Sequence, residues 1–141
     1  MKIVVAVDGS EFTRKALDYI AAQRSMFVDG HELVLVHVCP AIPPHASRHI
    51  AKDTLAEYYK EEGAKVIDPV KQQLQGLGIA NASVQTRHGQ AAEEIVRAAE
   101  ECGAGLVVMG THGHGTLGRA LMGSVATKVI AESSLPVLLV Q

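Results

Sequence analysis

The sequence predicts an α/β fold with a doubly wound, open parallel sheet. Five short runs rich in β-branched residues alternate with longer stretches of helical periodicity. Four of these runs are almost continuously apolar, which is typical of strands that a parallel sheet buries on both faces. Right-handed crossovers then place helices on both sides of the sheet. A length of 141 residues is that of one domain, which we expect to span residues 1–141.

The predicted strands are spread along the whole chain. They cover residues 2–7, 32–38, 83–88, 105–110 and 136–141. The third strand, S-V-Q-T-R-H, alternates apolar and polar residues. Because alternation indicates one buried and one wetter face, we expect this strand at an edge of the sheet.

The first crossover helix follows Asp8 and Gly9, with Ser10 as a good N-cap. Its periodicity predicts an inward face, and this face consists of Phe12, Ala16, Leu17 and Ile20. The last two helices are predicted over residues 90–103 and 124–134.

The second crossover, residues 46–78, is longer than an average helix. Pro69 removes a helical N–H and predicts a kink or a break near Asp68. Gly76 and Gly78 supply the C-terminal stop.

Composition and charge exclude several classes of function. A formal net charge of −2, with acids and bases mixed along the chain, provides no basic surface for nucleic acid or for a membrane. Cys39 and Cys102 lack C-x-x-C spacing and lie in apolar surroundings, which indicates reduced, buried thiols. No signal-peptide core and no spanning apolar run is found, so we expect a cytoplasmic location and no membrane insertion.

Loops follow three of the predicted strands at their carboxyl ends. Asp8-Gly9-Ser10 follows the first strand, residues 38–40 the second, and residues 110–113 the fourth. Ligands of open α/β sheets bind outside these ends, where the strand order reverses. We therefore expect these loops to converge on one crevice.

The segment G-T-H-G-H-G-T-L-G-R-A-L-M-G-S-V-A, residues 110–126, favours an anionic ligand in that crevice. Its glycines permit close backbone approach, and a helix begins near Ser124 with unpaired N–H groups. The Ser124 hydroxyl either caps this helix or donates to a phosphate. The segment matches neither the P-loop nor the dinucleotide fingerprint. The alternative is a flexible loop without a ligand.

Asp8 and the histidines leave alternatives open. Asp8 contacts a ribose hydroxyl or a phosphate-bound Mg²⁺, or it caps the following helix. His112 and His114 are able to donate to phosphate but lack neighbouring metal-ligand partners, so the protein alone supplies no metal site. His37, in an apolar strand, is interpreted as a packing histidine, and Arg119 as a phosphate contact or a surface arginine. No catalytic residues are predicted.

The chain resembles the universal stress protein family over its whole length. The resemblance rests on I-V-V-A-V-D-G-S-E, on L-V-L-V-H-V and on the G-x-x-G-x9-G-[ST] element, which Gly110, Gly113, Gly123 and Ser124 match. It implies a Rossmann-like sheet of the adenine nucleotide alpha hydrolase-like type, with strand order 3-2-1-4-5.

The resemblance also implies a ligand, ATP or another adenine nucleotide such as AMP or ADP. Mg²⁺ is expected with it, because a phosphate-bound ion near Asp8 would offset the repulsion between the carboxylate and the phosphates. The implied nucleotide-binding residues are Val7, Asp8, Val38, Met109, Gly110, Gly113, His114, Gly123, Ser124 and Val125. His114 stands where the family often has arginine, so the affinity is expected to depend on pH.

The resulting hypothesis is a nucleotide-binding protein of stress response or signalling. Its nucleotide state is expected to control its binding to a regulatory protein partner or its oligomeric state. One alternative is a slow Mg²⁺-dependent ATPase; another is a dimeric interaction module that needs no nucleotide. The resemblance implies a homodimer through the last strand, residues 136–141, whose apolar edge is otherwise a template for pairing.

Overall fold

The computed structural model describes residues 1–112 and 122–141. Its sheet has five strands in the order β3-β2-β1-β4-β5, all paired in parallel. The strands are β1 Lys2–Ala6, β2 Glu32–Cys39, β3 Ala82–His88, β4 Leu106–Gly110 and β5 Val137–Val140. The helices are α1 Glu11–Ala22, α2 Arg24–Phe27, α3 Pro44–Ser47, α4 Lys52–Gly76, α5 Ala91–Cys102 and α6 Ser124–Glu132. The predicted fold class and strand order are confirmed.

The central strand β1 sets the point at which the strand order reverses. Val4 pairs with Val34 of β2 on one side and with Val107 of β4 on the other. The chain therefore winds outward in one direction through β2 and β3, and in the other through β4 and β5. The crevice predicted for an open α/β sheet lies at the carboxyl ends of β1 and β4.

Helices cover both faces of the sheet. On one face, Ile3 and Val5 belong to a core that includes residues of α1 and α4, whereas on the other face Val4 packs with residues of α5 and α6. These alternating side chains are fully buried, and each stabilises the fold by about 1.5–3 kcal/mol. The near-continuous apolar character of β1 follows from this burial on both faces.

Helix α1 begins as predicted. Ser10 is its N-cap, and the Thr13 N–H donates to Ser10 Oγ at 3.4 Å. Of the predicted inward residues, Ala16, Leu17 and Ile20 are fully buried, but Phe12 is half-buried. Phe12 is on the predicted face but less buried, because the first turn of α1 lies at the end of the sheet, where Phe12 packs against Gly110 and His112.

The second crossover differs from its predicted form. Its break falls between α3 and α4, at residues 48–51, whereas α4 continues without a break through Pro69. Ile67 and Val70, on either side of Pro69, are buried against the sheet. Their packing holds the helix together although one backbone hydrogen bond is lost.

The remaining predictions agree with the structure to within about two residues at each boundary. Helix α5 ends at Gly103, which has a left-handed φ of 68°. Strand β3 lies at an edge and has an alternating, half-exposed pattern. Cys39 is buried, Cys102 is half-buried, and both are free thiols. Among the helices in the described part of the chain, none is long and apolar enough to cross a membrane.

Candidate functional site

A cavity of about 620 Å³ opens at the carboxyl ends of β1, β2 and β4. It is lined by every predicted site residue that the structure describes: Val7, Asp8, Val38, Met109, Gly110, Gly123, Ser124 and Val125. The structure therefore brings together residues that lie far apart in the sequence. Gly113, His114 and Arg119 lie outside the described residues.

The N-terminus of α6 faces this cavity. Gly123 occupies the N-cap position, and its N–H donates to the Thr111 carbonyl at 2.6 Å. The first hydrogen bond back to the cap is that from the Thr127 N–H to the Gly123 carbonyl, at 3.1 Å. Helix geometry therefore leaves the N–H groups of Ser124, Val125 and Ala126 without a partner inside α6, and all three residues line the cavity. Such a group of donors, with the positive end of the helix dipole, favours an anion.

This geometry excludes one of the two alternatives for the Ser124 hydroxyl. Ser124 is the first residue of α6 and not its cap, so its hydroxyl does not have the capping role. The Ser124 side chain is exposed, and it makes no hydrogen bond with another described residue. Gly123 contributes backbone shape to the site, because its N–H is already bonded to Thr111.

Gly110 has a packing role that the sequence did not indicate. A Cβ atom at this position would lie 2.5 Å from Cβ of Phe12 and 3.2 Å from the carbonyl oxygen of His112. The first of these distances is far shorter than a van der Waals contact. Glycine is therefore needed for α1 to approach the end of β4, whatever ligand the cavity holds.

Asp8 is held in a defined orientation at the start of α1. Its Oδ1 accepts the Ser10 N–H at 2.9 Å and the Thr13 hydroxyl at 2.8 Å, while its own N–H donates to Thr13 Oγ1 at 3.0 Å. These bonds form the turn that leads from β1 into α1. Since Asp8 also lines the cavity, its turn-forming role is compatible with contact to a ligand.

Two histidines lie beside the cavity. His37 is 7% exposed, and its Nδ1 lies 3.2 Å from the Val7 carbonyl, so it is a packed histidine as predicted. His112 Nδ1 lies 2.9 Å from Thr111 Oγ1, and its ring is 5.0 Å from that of Phe12. Within residues 1–112 and 122–141 there is no group of three or more His, Cys, Asp or Glu residues that could hold a metal ion.

Helix α4 contributes a wall of the cavity that sequence reasoning missed. Glu62, Lys65 and Val66 line the cavity beside the end of β2, and Lys65 Nζ lies 2.8 Å from Glu62 Oε1. This ion pair raises the pKa of Lys65, chiefly through the hydrogen bond. Burial raises the pKa of the Cys39 thiol, and the nearby Glu62 carboxylate raises it further. The spacing of the three residues, on one side of a helix, was the available signal.

The cavity thus has different chemistry at its two ends. Backbone donors of α6 lie at the end of β4, while Val38 and Cys39 with the α4 wall lie at the end of β2. Ile95 of α5 adds an apolar side chain. These features define a doubly wound α/β protein with a cavity at its switch point, where open α/β sheets generally bind their ligands.

The comparisons with known proteins identify the family. The model of the universal stress protein family matches residues 1–141, and the chain belongs to this family. The universal stress protein MJ0531 of Methanocaldococcus jannaschii is 34% identical, over 99% of this chain and 81% of its own. YxiE of Bacillus subtilis is 31% identical, over 99% of this chain and 98% of its own.

Solved structures agree with this assignment. The hypothetical protein MJ0577 has a TM-score of 0.79 and 30% identity, covering 99% of this chain and 94% of its own. A universal stress protein in complex with cAMP has a TM-score of 0.72 and 23% identity, covering 100% and 97%. The universal stress protein from Archaeoglobus fulgidus in complex with dAMP has a TM-score of 0.63 and 24% identity, covering 100% and 98%. The latter two support the fold.

Proposed function

We propose that this protein binds an adenine nucleotide in the cavity at its switch point and acts as a nucleotide-dependent protein of stress response or signalling. The observation that carries the proposal is the convergence of Asp8, the end of β2 and the α6 backbone donors on one cavity. The volume of about 620 Å³ is within the range of small-molecule sites. The cAMP and dAMP complexes of proteins with the same fold support this ligand class.

The arrangement of the strands supports one orientation of the nucleotide. The phosphate lies at the N–H groups of Ser124 and Val125, where an anion is favoured. The base lies between the end of β2 and the α4 wall, near Val38. β2 and β4 are two strand spacings apart, about 10 Å, which suits a nucleoside laid across β1. Asp8, at the end of β1, is then beside the ribose.

The specific ligand in this proposal is ATP with Mg²⁺. A carboxylate near phosphates is repelled unless a cation lies between them, so Mg²⁺ held by the phosphates would offset the charge of Asp8. The family resemblance assigns further phosphates to Gly113 and His114, which lie outside the described residues. The bound ion would supply charge neutralisation, while Asp8 is positioned by its bonds to Ser10 and Thr13.

We also propose a homodimer and a cytoplasmic location for this single domain of residues 1–141. Strand β5 lies at the edge of the sheet, and its half-buried Val137–Val140 supports pairing with a second copy. A reducing compartment suits the free thiols of Cys39 and Cys102. A regulatory partner that recognises the nucleotide state completes the proposal.

Calorimetry tests the proposal directly. Nucleotide stripped from the purified protein is identified by mass spectrometry, and AMP, ADP and ATP are then titrated with and without Mg²⁺. We expect saturable heat and a rise in melting temperature with at least one of them. No heat and no thermal shift at millimolar concentrations of all three would overturn the proposal. Retained ATP indicates a binding protein, whereas its conversion to ADP during incubation indicates the ATPase alternative.

A further inference from the structure

Helix α4 is held close to the sheet at the position that faces the cavity. A Cβ atom on Gly63 would lie 3.0 Å from Cγ2 of Thr86, so the helix backbone lies as near to β3 as packing permits. Gly63 is itself buried. Glu62, the adjacent residue, lines the cavity with Cys39 and Val38 at the end of β2. Close packing therefore fixes the Glu62 backbone beside the end of β2.

The charges along the described lining are unevenly distributed. Asp8 lies at the end of β1, whereas Glu62 and Lys65 lie on the α4 wall. An ion pair joins Lys65 Nζ to Oε1 of Glu62, at 2.8 Å. Oε2 of Glu62 makes no hydrogen bond with another described residue, so it retains its capacity to accept. Burial and, to a smaller extent, the Glu62 carboxylate raise the pKa of the Cys39 thiol at the end of β2.

We propose that Glu62 is a specificity-determining residue that accepts a hydrogen bond from the exocyclic amine of the base and so selects a 6-aminopurine over a 6-oxopurine. The inference rests on the proposed function, which places the base at the end of β2. An amine at position 6 donates toward the carboxylate, whereas a carbonyl oxygen there turns its lone pairs toward the negative charge. A site built to accept a hydrogen bond rejects a ligand that offers a second acceptor. Lys65 is a positioning residue, since it holds one oxygen of Glu62.

Binding of AMP and IMP tests this assignment, because these nucleotides differ in the base at position 6 and in the N1 proton that accompanies it. We expect the wild-type protein to bind AMP at least about tenfold more tightly than IMP, the effect of one hydrogen bond. In Glu62→Gln the amide either donates or accepts, so the ratio is expected to fall below about threefold. Glu61→Gln removes the same charge at an exposed neighbour that is not part of the lining, and it should keep the wild-type ratio. Circular dichroism and melting temperature check that each variant is folded.

The outcomes separate this inference from the proposed function. If the wild-type protein binds AMP but does not discriminate against IMP, or if Glu62→Gln keeps the wild-type ratio, Glu62 does not select the base and the inference is overturned, while nucleotide binding stands. If none of AMP, IMP, ADP and ATP binds, the proposed function is overturned, and the inference that rests on it is overturned as well. Lys65→Ala tests the positioning role of Lys65. If Lys65 holds the Glu62 carboxylate in place, its loss should lower the affinity for AMP more than the affinity for IMP.

Discussion

Gly110 and Ser124 illustrate, at the scale of single residues, that one motif supplies both a packing contact and part of the cavity lining. Gly110 leaves the space that Phe12 of α1 occupies, and Ser124 begins the helix whose N–H groups face the cavity. Sequence spacing identified both positions but not these contacts. The contact with Phe12 depends on how α1 lies across the end of β4, which no local pattern records.

Gly110→Ala is expected to destabilise the fold by about 1–3 kcal/mol, the usual cost of overpacking. The new Cβ would lie 2.5 Å from Phe12 Cβ, an atom next to the α1 backbone that cannot rotate away. Urea unfolding followed by circular dichroism measures the loss. Gly76→Ala is the control, because no atom lies within 4 Å of its added Cβ, and it should change stability by less than about 0.5 kcal/mol. Equal stability of the two variants would contradict the packing role.

Ser124→Pro tests the donor role of the α6 backbone. Proline at the first position of a helix removes one N–H without breaking the helix, and Gly123 before it already has an extended ψ of 163°. We expect folding to be retained and the affinity for AMP to fall about tenfold or more. Ser124→Ala, which removes the hydroxyl but keeps the N–H, should cost less. Calorimetry of the two variants compares them, and equal affinities would assign the loss to the hydroxyl alone.

At the scale of helices and strands, local signals predicted most boundaries. Ser10 and Gly103 mark helix ends through capping and positive φ, which depend on neighbouring residues and are therefore visible in the sequence. The α4 wall was not predictable in this way. Which side of α4 faces the cavity depends on the break at residues 48–51 and on contacts with β2 and β3.

Pro69→Ala is expected to stabilise the protein by about 1–2 kcal/mol. Alanine restores an N–H that can bond the carbonyl of residue 65, and it removes the ring that crowds this carbonyl. Position 69 is exposed, so no core contact is lost. Thermal and urea unfolding measure the gain against Gln72→Ala, an exposed substitution in the same helix. If both variants have the stability of the wild-type protein, Pro69 imposes no net strain on α4.

At the scale of the whole molecule, the alternation of strands and helices was sufficient to predict the fold class. Continuous apolar strands require cover on both faces, and the two cores on either side of β1 supply it. The same logic placed the site, because parallel strands bring their carboxyl ends to one edge. It did not determine which end of the cavity is positive or acidic, since that depends on the helices packed above it.

Strand β5 lies at one edge of the sheet and offers backbone groups for pairing with a second copy. The Val107 and Thr111 N–H groups donate to the carbonyls of Pro136 and Val140, so alternate residues of β5 face β4. Leu139 precedes Val140 and therefore belongs to the other alternating set, whose N–H groups point away from β4 toward the edge of the sheet. Leu139→Pro therefore removes an edge donor while the bonds to β4 remain, and proline is tolerated on edge strands. Leu139→Ala is the matched control, because it shortens the side chain and keeps the N–H.

If two copies pair through β5, light scattering after size exclusion should find a dimer for the wild-type protein and for Leu139→Ala, and a monomer for Leu139→Pro. A dimer that persists in the folded proline variant would place the contact elsewhere on the molecule.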